Sequence, residues 1–510
     1  MQSCDVCVIG GGPSGYAAAM RALDFGKRVI LIEKDKLGGA AIYNGALSSK
    51  TLWELSRDVR RLRITERGYT VFDFKLDFPQ IIKVAHRAVQ ERHEQLAKQV
   101  DELSERICPE RFRFIHGFGR LISTNQIEVT TPKGKEIITS EYIVLAAGST
   151  PRKLPNVTID EENIVTSDGI GNWKKFPDSL VILGAGVIGC EFASVFSNFG
   201  KTNVRLIDKA DHILPFEDKD ISDTVTENFI ANGITIHRNA SLESMTIDDD
   251  GRVNYTLKFK DGRVETHNVE KALISIGRVP AVNGLGAREI GLAMTDGGNF
   301  IVDADGRTNI PNIFAVGDLT ADIMLVNVGE VEGRHVIETM YSNEEKHLTY
   351  DNISTIMFLI PEVSGVGMNE QTLAAKNIPY RVATFNYQYI NRALAMRSMR
   401  GFYKILVSDD DEMRLLGMRI VGEQSSSAIQ AAALLIYMNK GIEELSELIH
   451  PHPSIVEGAQ ECVRMLLGKS VIKPQVFPAD LRCVRVRDGV ATEINYFVNN
   501  DKGVAAMQAS

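Results

Sequence analysis

The chain has little cysteine, no excess of positive charge and no long apolar run. Its six cysteines (Cys4, Cys7, Cys108, Cys190, Cys462, Cys483) are scattered over 510 residues. They make no disulfide framework, so a reducing compartment, the cytoplasm, is the expected setting. Cys4 and Cys7 form a C-x-x-C by count. In a regular strand, positions three apart point to opposite faces, which argues against a metal or redox pair. A net charge of -9 excludes a general nucleic-acid binder, which would carry a basic face. No apolar stretch reaches about 18 residues, so no membrane span is expected. The opening "MQSCDVCVIGGG" enters a strand at once, without the basic, apolar and cleavage segments of a secretory leader, and none is expected. Low-complexity segments are absent too.

What remains is the composition of an ordinary globular protein, 44% hydrophobic and 24% charged, long enough for about three domains of roughly 150 residues each. One device occurs twice. In "CDVCVIGGGPSGYAAAMRALDFGKRVILIEK" a strand, a glycine turn, a helix and a second strand follow in order. Gly10, Gly12 and Gly15 give the G-x-G-x-x-G spacing: a tight turn, close backbone approach to a pyrophosphate, and close helix–strand packing. The helix N-terminus offers N–H groups to phosphate, and Glu33 ends the second strand where a ribose would be hydrogen-bonded. In "SLVILGAGVIGCEFASVFSNFGKTNVRLIDK" Gly184, Gly186 and Gly189 repeat the spacing and Asp208 ends the strand. An acid there favours NAD over NADP, although Lys201 and Lys209 lie close in sequence and keep NADP(H) open. Two such units imply two dinucleotides, one held and one exchanging, with hydride transfer between them.

Further segments follow in a recognisable order: "YIVLAAGSTPRKLP", "ALISIGRVP", "NIFAVGDLTADIMLVNVGEVEG", "MFLIPEVSGVGMNEQTL" and "LLGMRIVGEQSSSAIQAAALLIYM". With the two glycine units, the chain resembles the pyridine nucleotide–disulfide oxidoreductases, in particular the dihydrolipoamide dehydrogenase branch, from its first residues to about residue 468. The resemblance implies an α/β fold with two Rossmann-like dinucleotide-binding domains and an α+β C-terminal dimerisation domain. The expected organisation is an FAD-binding domain (1–150), an NAD(P)-binding domain (151–276), a second FAD/central part (277–345), the dimerisation domain (346–468) and an extension (469–510). Bound FAD, exchanging NAD(H) and an obligate homodimer are implied, each site being completed by the partner's C-terminal domain. Ala147 and Gly148 would mark the crossover out of the FAD domain, Gly277 its counterpart, and Asp318 a ligand of the flavin's ribityl chain. Gly119, with Gly117, would admit the backbone close to the adenine.

One motif departs from the family. "KLGGAAIYNGALSSKTL" places Ala41 and Ala46 at the two redox cysteines. Neither alanine can form a thiolate or carry electrons. Its surroundings differ too, with Ser48 where the family usually has Pro and Tyr43 where it has Asn, which argues against two engineered replacements. Tyr43 could partly fill the space beside the alanines and stack on an acceptor, or simply pack. The rest of the machinery is kept. Lys50 and Glu191 match the family's ion pair beside the flavin, which also counts Lys50 as cofactor-binding. In "ELIHPHPSIVEGAQECV", His452 matches the acid–base residue and Glu457 its orienting partner, while His450 reads as structural. Cys190 reads as a packing residue, and no metal site is expected.

These residues imply an FAD-dependent NAD(P)H oxidoreductase passing electrons directly from flavin to a small non-disulfide acceptor such as a quinone. Two alternatives stay open: a soluble pyridine nucleotide transhydrogenase, and a non-catalytic FAD/NAD-binding sensor or scaffold. Residues 78–106 predict a long amphipathic helix whose His86 and His93 lie on a solvated face. In the extension, "LRCVRVR" and "TEINYFV" predict a hairpin around Asp488-Gly489, to pack on the dimer, cover the acceptor pocket or dock a partner. The last ten residues are expected to be disordered.

Overall fold

The computed structural model describes residues 2–43, 45–64, 67–71, 74–320, 323–343 and 347–494. They divide into two compact units, Met1–Lys209 with Asn239–Leu348, and Ala210–Arg238 with the residues from Thr349 onward.

In the first unit, runs of Val, Ile and Leu without polar alternation form parallel strands buried on both sides. Ser3–Ile9 lies between Val29–Glu33 and Gly134–Leu145, with Phe112–His116 beyond Val29–Glu33 and Ile313–Ala315 beside Gly134–Leu145, all parallel. Alternate residues feed two cores. Val6, Val8, Leu31 and Val144 face one, while Cys7, Ile9, Ile32 and Leu145 face the other. Each such fully buried aliphatic side chain contributes about 1.5–3 kcal/mol. Phe118–Leu121 and Gln126–Thr131 extend the sheet as an antiparallel meander. The helix Pro13–Asp24 begins with proline in its first turn, where no N–H is needed.

The same plan recurs. Ser179–Leu183 pairs in parallel with Asn203–Ile207 and Lys271–Ile274. The helix Val187–Phe199 packs beside them, buried along most of its length. A three-stranded antiparallel sheet, Ala240–Ile247, Val253–Phe259 and Val264–Val269, follows as the meander does in the first half. The two crossovers meet, because Ser149–Pro151 pairs antiparallel with Arg278–Pro280.

The predicted long helix runs Phe78–Glu102, with the Asp77 side chain accepting the Gln80 N–H at 3.1 Å as its N-cap. His93 departs from the expectation. It is half-buried, its ring 5.8 Å from that of Tyr43, rather than lying on a solvated face.

The second unit is a seven-stranded antiparallel sheet in the order Ser354–Met357, Val363–Gly367, Leu415–Val421, Phe402–Ser408, Tyr380–Asn386, Leu481–Arg487, Val490–Glu493. The helices Gln430–Tyr437 and Glu457–Leu466 cover a core containing Phe385, Tyr403, Ile405, Met418 and Ile420. The last two strands are the predicted hairpin. Asp488 and Gly489 have φ of 48° and 75°, as a two-residue turn with both central residues left-handed requires, and Arg487 faces Val490. The hairpin joins the sheet edge beside Tyr380–Asn386. Its second strand, Val490–Glu493, begins before the predicted run at 492–498, most of which, with the last ten residues, lies outside the described residues.

Candidate active site

The two glycine turns have the same construction. A Cβ on Gly10 would lie 2.2 Å from the Ala146 carbonyl oxygen, and one on Gly15 would lie 1.9 Å from Gly10 O. Gly184 and Gly189 repeat this against Ser275 O (2.5 Å) and Gly184 O (1.9 Å). These positions must lack a side chain for the strand and helix to approach. By contrast, Gly12 and Gly186 face open space, with nothing within 4 Å of a built Cβ. Each stands at a helix N-terminus, so each turn is a cradle with room for a pyrophosphate.

The terminal acids face these turns. The Glu33 carboxylate accepts the Gly11 N–H at 2.6 Å and the Asp35 N–H at 2.7 Å. The Asp208 carboxylate accepts the Ala185 N–H at 2.7 Å. Both acids therefore stand against the cradle, as ribose-binding residues must. The donor set fits two dinucleotides.

Gly148 and Gly277 have φ of 71° and 103°, and neither is crowded. Ala147 packs against the core below. Asp318 accepts the Ser149 hydroxyl. Arg278 donates to Ser149 Oγ at 2.7 Å and Ser149 O at 2.8 Å. The sequence reading missed Ser149 and Arg278. The signal was the pairing of the two crossovers, which spacing alone does not disclose. A Cβ built on Gly119 would meet Ile9, Ile32 and Ile127 carbons at 3.4–3.5 Å, ordinary contact distances.

Ala41 lies in the short turn Gly39–Ile42, and Ala46 opens the helix Ala46–Leu62. Four residues on, Lys50 donates from Nζ to Glu191 Oε2 at 2.9 Å, with Glu191 buried in the helix Val187–Phe199. The expected ion pair is formed. Tyr43 turns onto His93 and the Lys36 ammonium, 4.9 Å from its ring centre, so it is engaged by packing.

The six cysteines are unpaired and buried, and none lies on this turn. Burial pushes the Cys190 thiol well above the usual range, helped by the nearby Asp208 and Glu191 carboxylates, so it is a poor thiolate source. Cys4 and Cys7 depart from strict alternation. The N–H groups of Asp5 and Val6 both donate to Arg28 O, at 2.9 and 3.1 Å, and both cysteines join one core. Both stay buried, Cys4 with its thiol 3.4 Å from Ser140 Oγ.

In the second unit, Glu457 begins the helix Glu457–Leu466 and its Oε1 lies 2.6 Å from His452 Nδ1. This leaves Nε2 to face outward, and the His452 side chain is 64% exposed. His450 is partly buried; desolvation lowers its pKa, with Glu457 opposing and Arg464 reinforcing, and its Nε2 has no hydrogen-bond partner.

Residues 4–333 match the pyridine nucleotide-disulphide oxidoreductase family, and residues 353–463 match the dimerisation domain of those oxidoreductases. The chain belongs to this family, whose dihydrolipoyl dehydrogenase members use FAD and NAD(H), and its dimerisation domain supports a homodimer. It is 31% identical over 463 residues to dihydrolipoyl dehydrogenase of Chlamydia muridarum, covering 89% of this chain and 95% of that protein. It is 30% identical over 473 residues to mitochondrial dihydrolipoyl dehydrogenase of Schizosaccharomyces pombe, covering 92% and 91%. The fold is similar to that of LpdA from Mycobacterium tuberculosis, with a TM-score of 0.83 and 27% identity over 91% of this chain and 99% of the other. It is also similar to the HOCl-induced flavoprotein disulfide reductase RclA from Escherichia coli, solved as a Cu(II) complex, with a TM-score of 0.81 and 26% identity over 91% and 100%. Among the described residues no helix is long and apolar enough to cross a membrane.

Proposed function

We propose that the protein is an FAD-dependent NAD(P)H oxidoreductase that reduces a small non-disulfide acceptor, of the quinone class, without a redox-active disulfide. One observation carries this reading. On the family resemblance, the turn expected to bear the redox cysteines holds Ala41 and Ala46, and the Lys50–Glu191 and His452–Glu457 pairs are both formed. Bound FAD would supply the two-electron carrier between NADH and acceptor.

The chain's own residues then have separable tasks. Gly12 and Gly186 leave room for the two pyrophosphates. Asp208, an acid at the second cradle, favours the unphosphorylated ribose, and so NADH over NADPH. Lys50 and Glu191 orient the nicotinamide. Glu457 accepts the His452 Nδ1–H, which fixes the tautomer and leaves Nε2 to hold the proton delivered to the acceptor's carbonyl oxygen. The exposure of His452 within one chain fits a role in the partner subunit's cavity, because a working acid must be shielded from bulk water. Leu434, Tyr437, Met438 and the fully exposed Ile449 are large apolar side chains in this domain that such a dimer could bury.

Turnover of NADH with a water-soluble quinone, run beside lipoamide, tests the proposal. Quinone reduction without lipoamide reduction is expected. Direct reduction of lipoamide by the purified protein would contradict it.

A further inference from the structure

The helix Ala46–Leu62 carries Lys50, and the helix Val187–Phe199 carries Glu191. Whether the ammonium meets the carboxylate depends on the register between these two helices. Apolar burial is non-directional and does not by itself select one rotation or one axial position. Hydrogen bonds between the helices do.

Ser56, Ser194 and Asn198 are all buried, at 0%, 3% and 4% exposure. The Asn198 amide donates across to Ser56 Oγ at 3.2 Å and, on its own helix, to Ser194 Oγ at 3.5 Å. Ser56 gives its one proton to Trp53 O at 2.8 Å, so its oxygen is left to accept from the amide. One level further on, Arg63 Nη1 donates to Asn198 O at 3.3 Å. A Cβ on Gly200, which ends the second helix with φ of 64°, would lie 1.9 Å from that same Nη1.

The contacts climb both helices together, from Lys50 and Glu191 through Ser56 and Asn198 to Arg63. The helices therefore lie side by side and run in the same direction. Glu191, Ser194 and Asn198, spaced three and four, share one face. Ser56 and Arg63, seven apart, do so on the other helix. Lys50 precedes Ser56 by six residues, about one and two-thirds turns, and so reaches Glu191 from the flank. A slip of one residue turns a helix by about 100° and shifts it by about 1.5 Å. An ion pair of 2.9 Å made from the flank does not survive that.

We propose that Asn198 is a positioning residue, whose buried amide sets the register of the two helices and so holds Lys50 against Glu191. A single Asn in the packed seam of a coiled coil fixes register in the same way, at a cost in stability. The inference rests on the reading of Lys50 and Glu191 as the pair that orients the nicotinamide.

The test compares the FAD-loaded wild-type protein with Asn198→Leu, Lys50→Met and the double variant. Leucine replaces the amide by an apolar group of similar size, so the urea midpoint of Asn198→Leu should equal or exceed that of the wild type. Its flavin should still be reduced by NADH about tenfold more slowly, because a misplacement of about 1 Å can cost up to about 10²-fold. The double variant should be no slower than Lys50→Met alone, since both changes remove the same pair. A crystal structure of Asn198→Leu should place Lys50 Nζ more than about 4 Å from the Glu191 carboxylate, beyond ion-pair distance. Where leucine prevents folding, Ser56→Ala decides instead: a slower half-reaction is expected, and a wild-type rate overturns the proposal. Retention of both the ion pair and the wild-type rate in Asn198→Leu also overturns it, as does a slowing that adds in full to that of Lys50→Met. Unaltered flavin reduction in Lys50→Met would instead remove the nicotinamide reading, and the Lys50–Glu191 distance in the Asn198→Leu crystal would still decide the register.

Discussion

A histidine works as an acid only if its second nitrogen is held, and Glu457 holds Nδ1 of His452 at 2.6 Å. His452→Ala should therefore slow acceptor reduction by about 10²-fold or more, the usual worth of a general acid. Reduction of the flavin by NADH should stay fast. Stopped-flow measurement of the two half-reactions checks this, and equal slowing of both would remove the proton-donor role. The Lys50–Glu191 pair makes the opposite prediction. Lys50→Met leaves a carboxylate in the buried helix Val187–Phe199 without its ammonium. The NADH half-reaction should slow, with the acceptor half-reaction changing less. The pairing of these residues was legible only through the resemblance to the family, whose ion pair and histidine–carboxylate pair they match; residue spacing alone does not bring Lys50 to Glu191. Ser149 and Arg278 were not legible, because each acquires its role only when two crossovers pair as strands, bringing together these two residues 129 apart in sequence. The cysteine alternation failed for a local reason. The N–H groups of Asp5 and Val6 share one acceptor, Arg28 O, a backbone irregularity that no side-chain pattern announces.

At the scale of elements, the C-terminal hairpin is tied to the sheet by charge as well as by pairing. Arg482 donates bidentately to Glu370 at 2.9 and 3.1 Å, and Arg381, Arg485 and Arg487 all converge on Asp409. Lys404, fully buried, meets Glu370, Asp218 and Asp220 at 2.9, 3.0 and 2.6 Å. Lys404→Met should cost about 3–5 kcal/mol, because it leaves buried carboxylates uncompensated. Urea denaturation would measure the loss. Removing residues 481–494 should lower the melting temperature and promote association, because Tyr380–Asn386 would become an open sheet edge. The cluster also sets an acid limit. Burial alone would raise the Glu370 carboxyl, but Lys404 and Arg482 outweigh it and hold the group at about 2. Its folded value is thus depressed below the ordinary 4.5. The stability it provides is complete above pH 4.5 and is lost as pH falls toward 2. In an acid titration of the melting temperature, Glu370→Gln should flatten the curve in that window. The turn of this hairpin was legible, since Asp-Gly between alternating runs has few other solutions. Its destination was not, because the arginines carry no mark of which acid they will meet.

For the whole molecule, the doubled strand–turn–helix plan was legible in full, since glycine spacing, apolar runs and terminal acids all agreed on it. Membership of the pyridine nucleotide-disulphide oxidoreductase family follows over nearly the whole chain. The proposed departure from the family's usual chemistry rests on two small side chains, Ala41 and Ala46, on one turn. If no dithiol stands between flavin and acceptor, the number of electrons the protein takes up is fixed, and counting them decides the matter. Anaerobic reductive titration of the FAD-loaded protein, followed by the flavin spectrum, should end at two electrons per FAD. One NADH per flavin should be enough to bleach it. Uptake of four electrons per FAD would reveal a second redox couple and contradict the account.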